Sequence, residues 1–250
     1  MIRFEHVTKQ LGGRKVLDDL SFEVKKGEVF IIVGPSGTGK SVTLKHMVRL
    51  LTPTSGSVWV DGTDISAAYG ADLDAARERF GYLFQGGALL GWMTVEENIA
   101  LPLREKTRLG EDEIRARVAD ALRMVGLEGD GGKFPSEISG GMQKRAGLAR
   151  AIVRRPEIVL YDEPTSGLDP VTARTIDRLI LRLNSELGIT SVVVTHDLQG
   201  ALLVADRIAM LTGGRFVEVS DPKTFVKTEQ PAVRGFLEAQ FISKDGLAGM

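Results

Sequence analysis

Residues 34–41 read Gly-Pro-Ser-Gly-Thr-Gly-Lys-Ser and follow directly on the apolar run Val29–Val33. These are the residue types that wrap phosphate. Gly34, Gly37 and Gly39 let the backbone N–H groups of this loop, which also holds Ser36, Thr38 and the N–H-less Pro35, turn inward around anionic oxygens. A helix starting near Lys40 adds its positive N-terminal end. Lys40 would then reach the β- and γ-phosphates of a nucleotide, and Ser41 would ligate Mg²⁺. The bland alternative is an ordinary strand-to-helix turn, which matches this spacing by chance in roughly one chain in a hundred. A second chemical pair ends another apolar run, Ile158-Val159-Leu160-Tyr161-Asp162-Glu163. Side chains alternate faces along a strand, so the two carboxylates are expected to point apart. One holds the metal's water shell and the other faces an attacking water. In-line hydrolysis of a γ-phosphate needs both tasks done.

The elements that must position these groups read as alternating short β-branched runs and helical patterns, the mark of an α/β fold with a mostly parallel sheet. Strands are expected at Ile2–Val7, Val16–Val24, Val29–Val33, Val58–Val60, Tyr82–Phe84, Ile158–Tyr161, Ser191–Thr195, Ile208–Leu211 and Phe216–Val219. Helical spacing is clear over Glu111–Val125, ended by Gly126, and over Pro170–Leu187, with Asp169 as N-cap and Gly188 beyond the end. Residues 87–156 hold helices and no convincing strand. The expected organisation is an α/β core of 1–86 and 157–228, a helical subdomain of 87–156, and a tail of 229–250. Within the tail, Val233, Phe236, Leu237 and Phe241 share a helix face that packs on the body or clasps a partner, and the last residues, SKDGLAGM, should fray.

The 250 residues carry a formal net charge of -1, so no basic field marks the chain as a nucleic-acid binder. Cysteine is absent, which removes disulfides and thiolate metal sites and fits a reducing compartment. The opening MIRFEHVTKQ has charges where a signal peptide needs an apolar stretch. No run approaches the roughly 18 apolar residues of a membrane span. The expectation is a protein that is soluble or sits on a membrane through a partner.

Three further motifs carry a family resemblance. ISGGMQKRAGLARAI (138–152), YDEPTSGLDP (161–170) and VVVTHD (192–197) stand in the order and spacing of ABC transporter ATPase subunits, and the likeness covers residues 2–220. It implies a P-loop NTPase (RecA-like) core with an N-terminal antiparallel β portion and an inserted helical subdomain. It also implies ATP and Mg²⁺ as ligands. By the same likeness Gln85 touches the metal and the attacking water, Asp162 supports Mg²⁺, Glu163 is the general base and His196 contacts the γ-phosphate. Ser41 and Thr43 follow the P-loop lysine. Ser139, Gly140 and Gly141 form the signature loop that meets the nucleotide of a second copy, and Asp169 is the D-loop aspartate. Ser139 and Asp169 also read independently as helix N-caps.

The resemblance therefore implies a homodimer around two ATP molecules, integral-membrane permease subunits, and a peripheral position on the cytoplasmic face of the inner membrane. Two positions depart from the pattern: Leu11 stands where an adenine-stacking aromatic is usual, and Met142 where glutamine is. Both bear on nucleotide preference and rate. FQGGALLGWMTVEENIALPL (84–103) together with SGGM looks most like the ATPases of Mla-type phospholipid transporters, which work with MCE-type substrate-binding proteins. In this family that region faces the permease, with Trp92 and Met93 at the docking position. Leu89, Leu90, Val95 and Ile99 serve equally as subdomain core. Two alternatives stand beside it: the ATPase of a polar amino-acid or small-solute importer, and a soluble ABC ATPase of DNA repair or translation. The latter has its foothold in Lys144, Arg145, Arg150, Arg154 and Arg155, which read more simply as one solvated helix face.

Overall fold

The computed structural model describes residues 1–240, and the expectations for Phe241 and for the fraying end lie outside them. In chain order the first elements are β1 (Ile2–Leu11), β2 (Arg14–Val24), β3 (Val29–Val33), α1 (Lys40–Met47), β4 (Ser55–Val60), β5 (Thr63–Asp64) and α2 (Gly70–Glu78). Then come β6 (Phe80–Leu83), α3 (Val95–Lys106), α4 (Glu111–Met124), a 3₁₀ turn (Pro135–Glu137), α5 (Gly140–Ile152), β7 (Ile158–Asp162) and α6 (Pro170–Leu187). The chain closes with β8 (Thr190–Thr195), α7 (Leu198–Val204), β9 (Arg207–Thr212), β10 (Arg215–Ser220), α8 (Pro222–Lys227) and α9 (Pro231–Ala239). Every strand expected from the sequence is present, most of them longer by one to four residues at an end.

Two compact units divide the chain: Met1–Arg77 with the residues from Val192 onward, and Glu78–Ser191. The 87–156 stretch lies wholly in the second unit, and no strand occurs in it. Residues 157–191, assigned above to the core with 1–86, group with that helical stretch instead. The reason is local pairing: β7 lies parallel to β6, Leu83 opposite Tyr161, and α6 packs on α5.

In the first unit β2-β1-β4-β5 is an antiparallel sheet in which β1 and β2 alternate between buried and exposed residues. The strands β10-β9-β3-β8 are consecutive in the second sheet, β3 running parallel to β9 with Ile31 opposite Ile208. All residues of β3 and β8 are buried, the pattern of strands covered on both faces. Phe22 joins the sheets, stacking on Phe4 at 4.6 Å and on Phe30 at 5.5 Å and meeting Phe216 edge-on at 5.0 Å. The tail helix α9 packs on α8 and β10 with Val233 and Leu237 fully buried, so its apolar face is used on its own body.

Candidate functional site

In the first unit the chain leaves buried β3 and turns at Gly34 into α1. Pro35, Ser36 and Gly37 are exposed, Thr38 is half-buried, and the Thr38 hydroxyl donates to the Pro35 carbonyl at 2.9 Å. Gly39 has φ 106, a left-handed conformation, and a Cβ there would lie 2.9 Å from the Val16 carbonyl oxygen. Only glycine fits both constraints. Gly39 is also the N-cap of α1 and offers no side-chain acceptor, nor is there an acidic residue in the first turn. The amides that cap residues usually satisfy are thus left to an anion. Buried Lys40 curls over the loop, donating from Nζ to the Gly34 carbonyl at 2.8 Å and to that of Pro35 at 3.2 Å. Ser41 is half-buried, and buried Thr43 ties the helix start by donating from its hydroxyl to the Gly39 carbonyl at 3.1 Å. The loop fits a polyphosphate. Leu11 ends β1 with 42% of its surface exposed, and His196, also exposed, follows the end of β8.

In the second unit the acidic pair closes β7. Asp162 is buried and accepts a hydrogen bond from the Tyr82 hydroxyl at 3.3 Å. Burial first, and then the Asp162 charge, push the Tyr82 hydroxyl well above its ordinary pKa, so it stays a donor. Glu163 does not continue the strand. Its φ of 49° places it in the left-handed region, so strand alternation does not set the direction of its carboxylate. A non-glycine residue held there stores of order 1–3 kcal/mol and persists only where its surroundings over-determine it. The determinants are on the Glu163 carbonyl, which accepts from the Ser166 hydroxyl at 3.0 Å, Lys144 Nζ at 3.1 Å and the Ser166 amide at 3.2 Å. Burial lowers the Lys144 pKa, while the charges of Glu163 and Asp162 oppose that shift.

Ser139 caps α5 by accepting from the Met142 amide at 3.3 Å. Gly140 is exposed, and Gly141 is buried against Thr172 of α6. Asp169 caps α6, accepting from the Val171 and Thr172 amides at 3.0 Å. Hydrogen bonds from Thr172, side chain and then backbone, hold its carboxyl below the usual carboxylate range.

Gln85 is exposed at the end of β6, and the turn after it is fastened to α5. Arg150 donates to the carbonyls of Gly87 and Ala88, both at 2.8 Å. Gly87 and Gly147 are the points of closest approach. A Cβ on Gly87 would lie 2.9 Å from the Gln143 carbonyl oxygen, and one on Gly147 would lie 2.9 Å from that of Gly87. Arg150→Met is expected to destabilise the chain by about 1–3 kcal/mol, because the partly buried Gly87 carbonyl and the exposed Ala88 carbonyl lose a charged donor. A urea unfolding curve measures it, and an unchanged midpoint refutes this tie.

The basic cluster is therefore not the solvated face expected. Lys144 is buried, Arg145 donates to the carbonyls of Val125 and Gly126, Arg150 holds the turn, and Arg154 pairs with Glu78 at 3.4 Å. Only Arg155 is exposed. Sequence reasoning also passed over Asn98. It is fully buried, takes the Leu90 amide on Oδ1 at 2.7 Å, and donates from Nδ2 to the carbonyls of Leu90, Met93 and Thr94. An asparagine directly after the Thr94–Glu97 capping-box pair was its only sequence signal. It shapes the loop that presents Trp92, 75% exposed, while Val95 and Ile99 sink fully into the core and Leu89, Leu90 and Met93 are half-buried.

Residues 17–166 match the family model described as ABC transporter. The chain belongs to the ABC transporter ATPase family. A probable ribonucleotide transport ATP-binding protein mkl of Mycobacterium leprae is 44% identical over 247 residues, 99% of this chain and 71% of that protein. The intermembrane phospholipid transport system ATP-binding protein MlaF of Haemophilus influenzae is 38% identical over 96% of this chain and 91% of its own length. The methionine import ATP-binding protein MetN of Caulobacter vibrioides is 44% identical over 87% of this chain and 66% of itself. Among solved structures, a dimeric ATP-binding cassette in a post-hydrolysis state, bound to ADP and Pi, superposes with a TM-score of 0.81 at 35% identity, covering 89% of this chain and 99% of its own.

This ABC subunit is thus an ATP-hydrolysing component of a transporter, with the α/β P-loop fold expected of it. No helix among the described residues is long and apolar enough to cross a membrane.

Proposed function

We propose that two copies of this ABC subunit close around two ATP–Mg²⁺ and drive a permease that moves phospholipid or another hydrophobic substrate between membranes. The loop from Gly34 to Ser41 holds the triphosphate, and Thr43 secures its helix. Ser41, Asp162 and Gln85 attend the Mg²⁺. No group of three His, Asp or Glu among the described residues would hold a metal alone, and Mg²⁺ at phosphate sites is bound through phosphate oxygens plus one or two side chains. Glu163 takes the proton of the attacking water, and His196 bears on the γ-phosphate. Ser139, Gly140 and Gly141 at the α5 N-terminus meet the γ-phosphate held by the other copy, with Asp169 at the same dimer boundary. The dimeric cassette holding ADP and Pi supports that arrangement. Met142 gives up one amide contact there, and Leu11 covers the base without a ring face, so both tune rate and nucleotide preference.

The observation that carries the lipid reading is the segment 84–103, whose Trp92 projects from a loop stiffened by Asn98, together with the likeness to MlaF over nearly its whole length. An MCE-type binding protein is its expected companion, and the cytoplasmic face of the inner membrane its expected place. The MetN likeness favours a second reading, an importer of an amino acid or other small solute, though the methionine named there is not a polar one. The DNA-repair or translation reading loses most of its foothold, because four of the five cations that supported it, Lys144, Arg145, Arg150 and Arg154, are committed to internal carbonyls and a carboxylate.

Purification of the native complex from membranes, followed by lipid mass spectrometry, separates the two transport readings. Bound phospholipid and a co-purifying MCE-type protein are expected. A periplasmic solute-binding protein without lipid overturns the lipid reading.

A further inference from the structure

The turn that carries His196 is held by a residue from the other end of the chain. Gln240, immediately after α9, donates from Nε2 to the His196 carbonyl at 2.7 Å. Its Oε1 accepts from the Leu198 amide at 3.0 Å. One side-chain amide thus closes both ends of the His196-Asp197-Leu198 segment. Between these two bonds Asp197 is already committed: its amide donates to Thr195 Oγ1 at 2.9 Å, and its carboxylate caps α7 by accepting from the Gly200 amide at 3.0 Å. Gln240 reaches the segment because α9 is anchored by Val233 and Leu237, and its own amide is tied back to the Leu237 carbonyl at 3.0 Å.

We propose that Gln240 is a positioning residue for ATP hydrolysis, acting through the backbone of His196 and making turnover depend on the docked tail helix. The inference rests on the reading of His196 given above. His196 sits exposed on the turn that follows β8, and the direction its side chain leaves the backbone follows from the orientation of that turn's peptides. Rotation of the peptide that follows it is resisted by the Gln240 bond to its carbonyl. The matching bond to Leu198 stops the next residue from compensating. A contact of this sort bears on the γ-phosphate as it leaves and not on nucleotide capture, which belongs to the loop at Gly34–Ser41. Its loss should therefore appear in kcat and spare KM.

The test uses the full chain in complex with its permease and compares Gln240→Leu, Gln240→Glu and His196→Ala. Leucine removes both bonds. Glutamate keeps the acceptor for Leu198 but sets a carboxylate oxygen against the His196 carbonyl. Both Gln240 variants should lose about fivefold in kcat, the worth of one hydrogen bond, with KM for ATP and the melting temperature nearly unchanged. If His196→Ala cripples turnover while both Gln240 variants keep wild-type kcat, the proposal fails alone. If His196→Ala itself turns over normally, the reading of His196 fails first. A lowered melting temperature with unaltered kcat per folded molecule, or a rise in KM matching the fall in kcat, makes Gln240 an ordinary structural contact and also overturns the proposal.

Discussion

Glu163→Gln is expected to cut ATP turnover of the transporter complex at least about a hundredfold, the low end of what a positioned general base contributes. The substitution is close to isosteric, and the features that place the residue are outside its side chain. The backbone at φ 49° is held through its carbonyl by Lys144 and Ser166, and these bonds survive the change. What is lost is the ability of the carboxylate to take a proton, together with its charge beside Lys144. ATP should still bind, and because its γ-phosphate persists, an ATP-bound dimer should accumulate. Phosphate release, together with light scattering in ATP and Mg²⁺, reads both effects. Retained turnover discards Glu163 as the base, and loss of turnover without dimer discards the two-copy site.

Lys40→Ala should abolish useful nucleotide binding. The ammonium is buried and points back onto the carbonyls of Gly34 and Pro35, so it is already within the loop that would hold the phosphates. Hydrogen bonds to charged groups are worth roughly 1.5–3 kcal/mol each. Exchanging two carbonyl contacts for phosphate contacts and then deleting the donor should cost about 3 kcal/mol, or roughly a hundredfold in Kd. Equilibrium binding of a fluorescent ATP analogue measures it. Unchanged affinity would remove the phosphate role of the whole 34–41 loop.

Much of this molecule could be read before its structure was seen, where local chemistry decides the outcome. The wholly apolar β3 and β7, Asp169 as cap, Pro170 in the first turn and Gly188 at φ 63 are all signals carried by a few neighbouring residues. What stayed hidden depends on partners far apart in sequence. Lys144 and Arg150 looked like surface cations because their spacing on a helix is that of a solvated face, whereas distant carbonyls take them inward. Glu163 looked like the next residue of a strand, since nothing in DEP announces a left-handed turn. The short β5 and α2 lack apolar periodicity and were missed, and the tail's docking on its own body depends on α8 and β10.

The junction between α5 and the Gly86–Ala88 turn has a mechanical meaning. Gly87 and Gly147 let main chain touch main chain, and Arg150 bolts the seam. Asn98 welds the Trp92 loop to α3, which itself lies on α5. With main chain packed on main chain at the seam and the loop held by the Asn98 side chain, this part of the molecule is expected to move as one stiff lever. A shove delivered at Trp92 should then arrive at Ser139 as displacement of a solid piece, with little of it dissipated in bending.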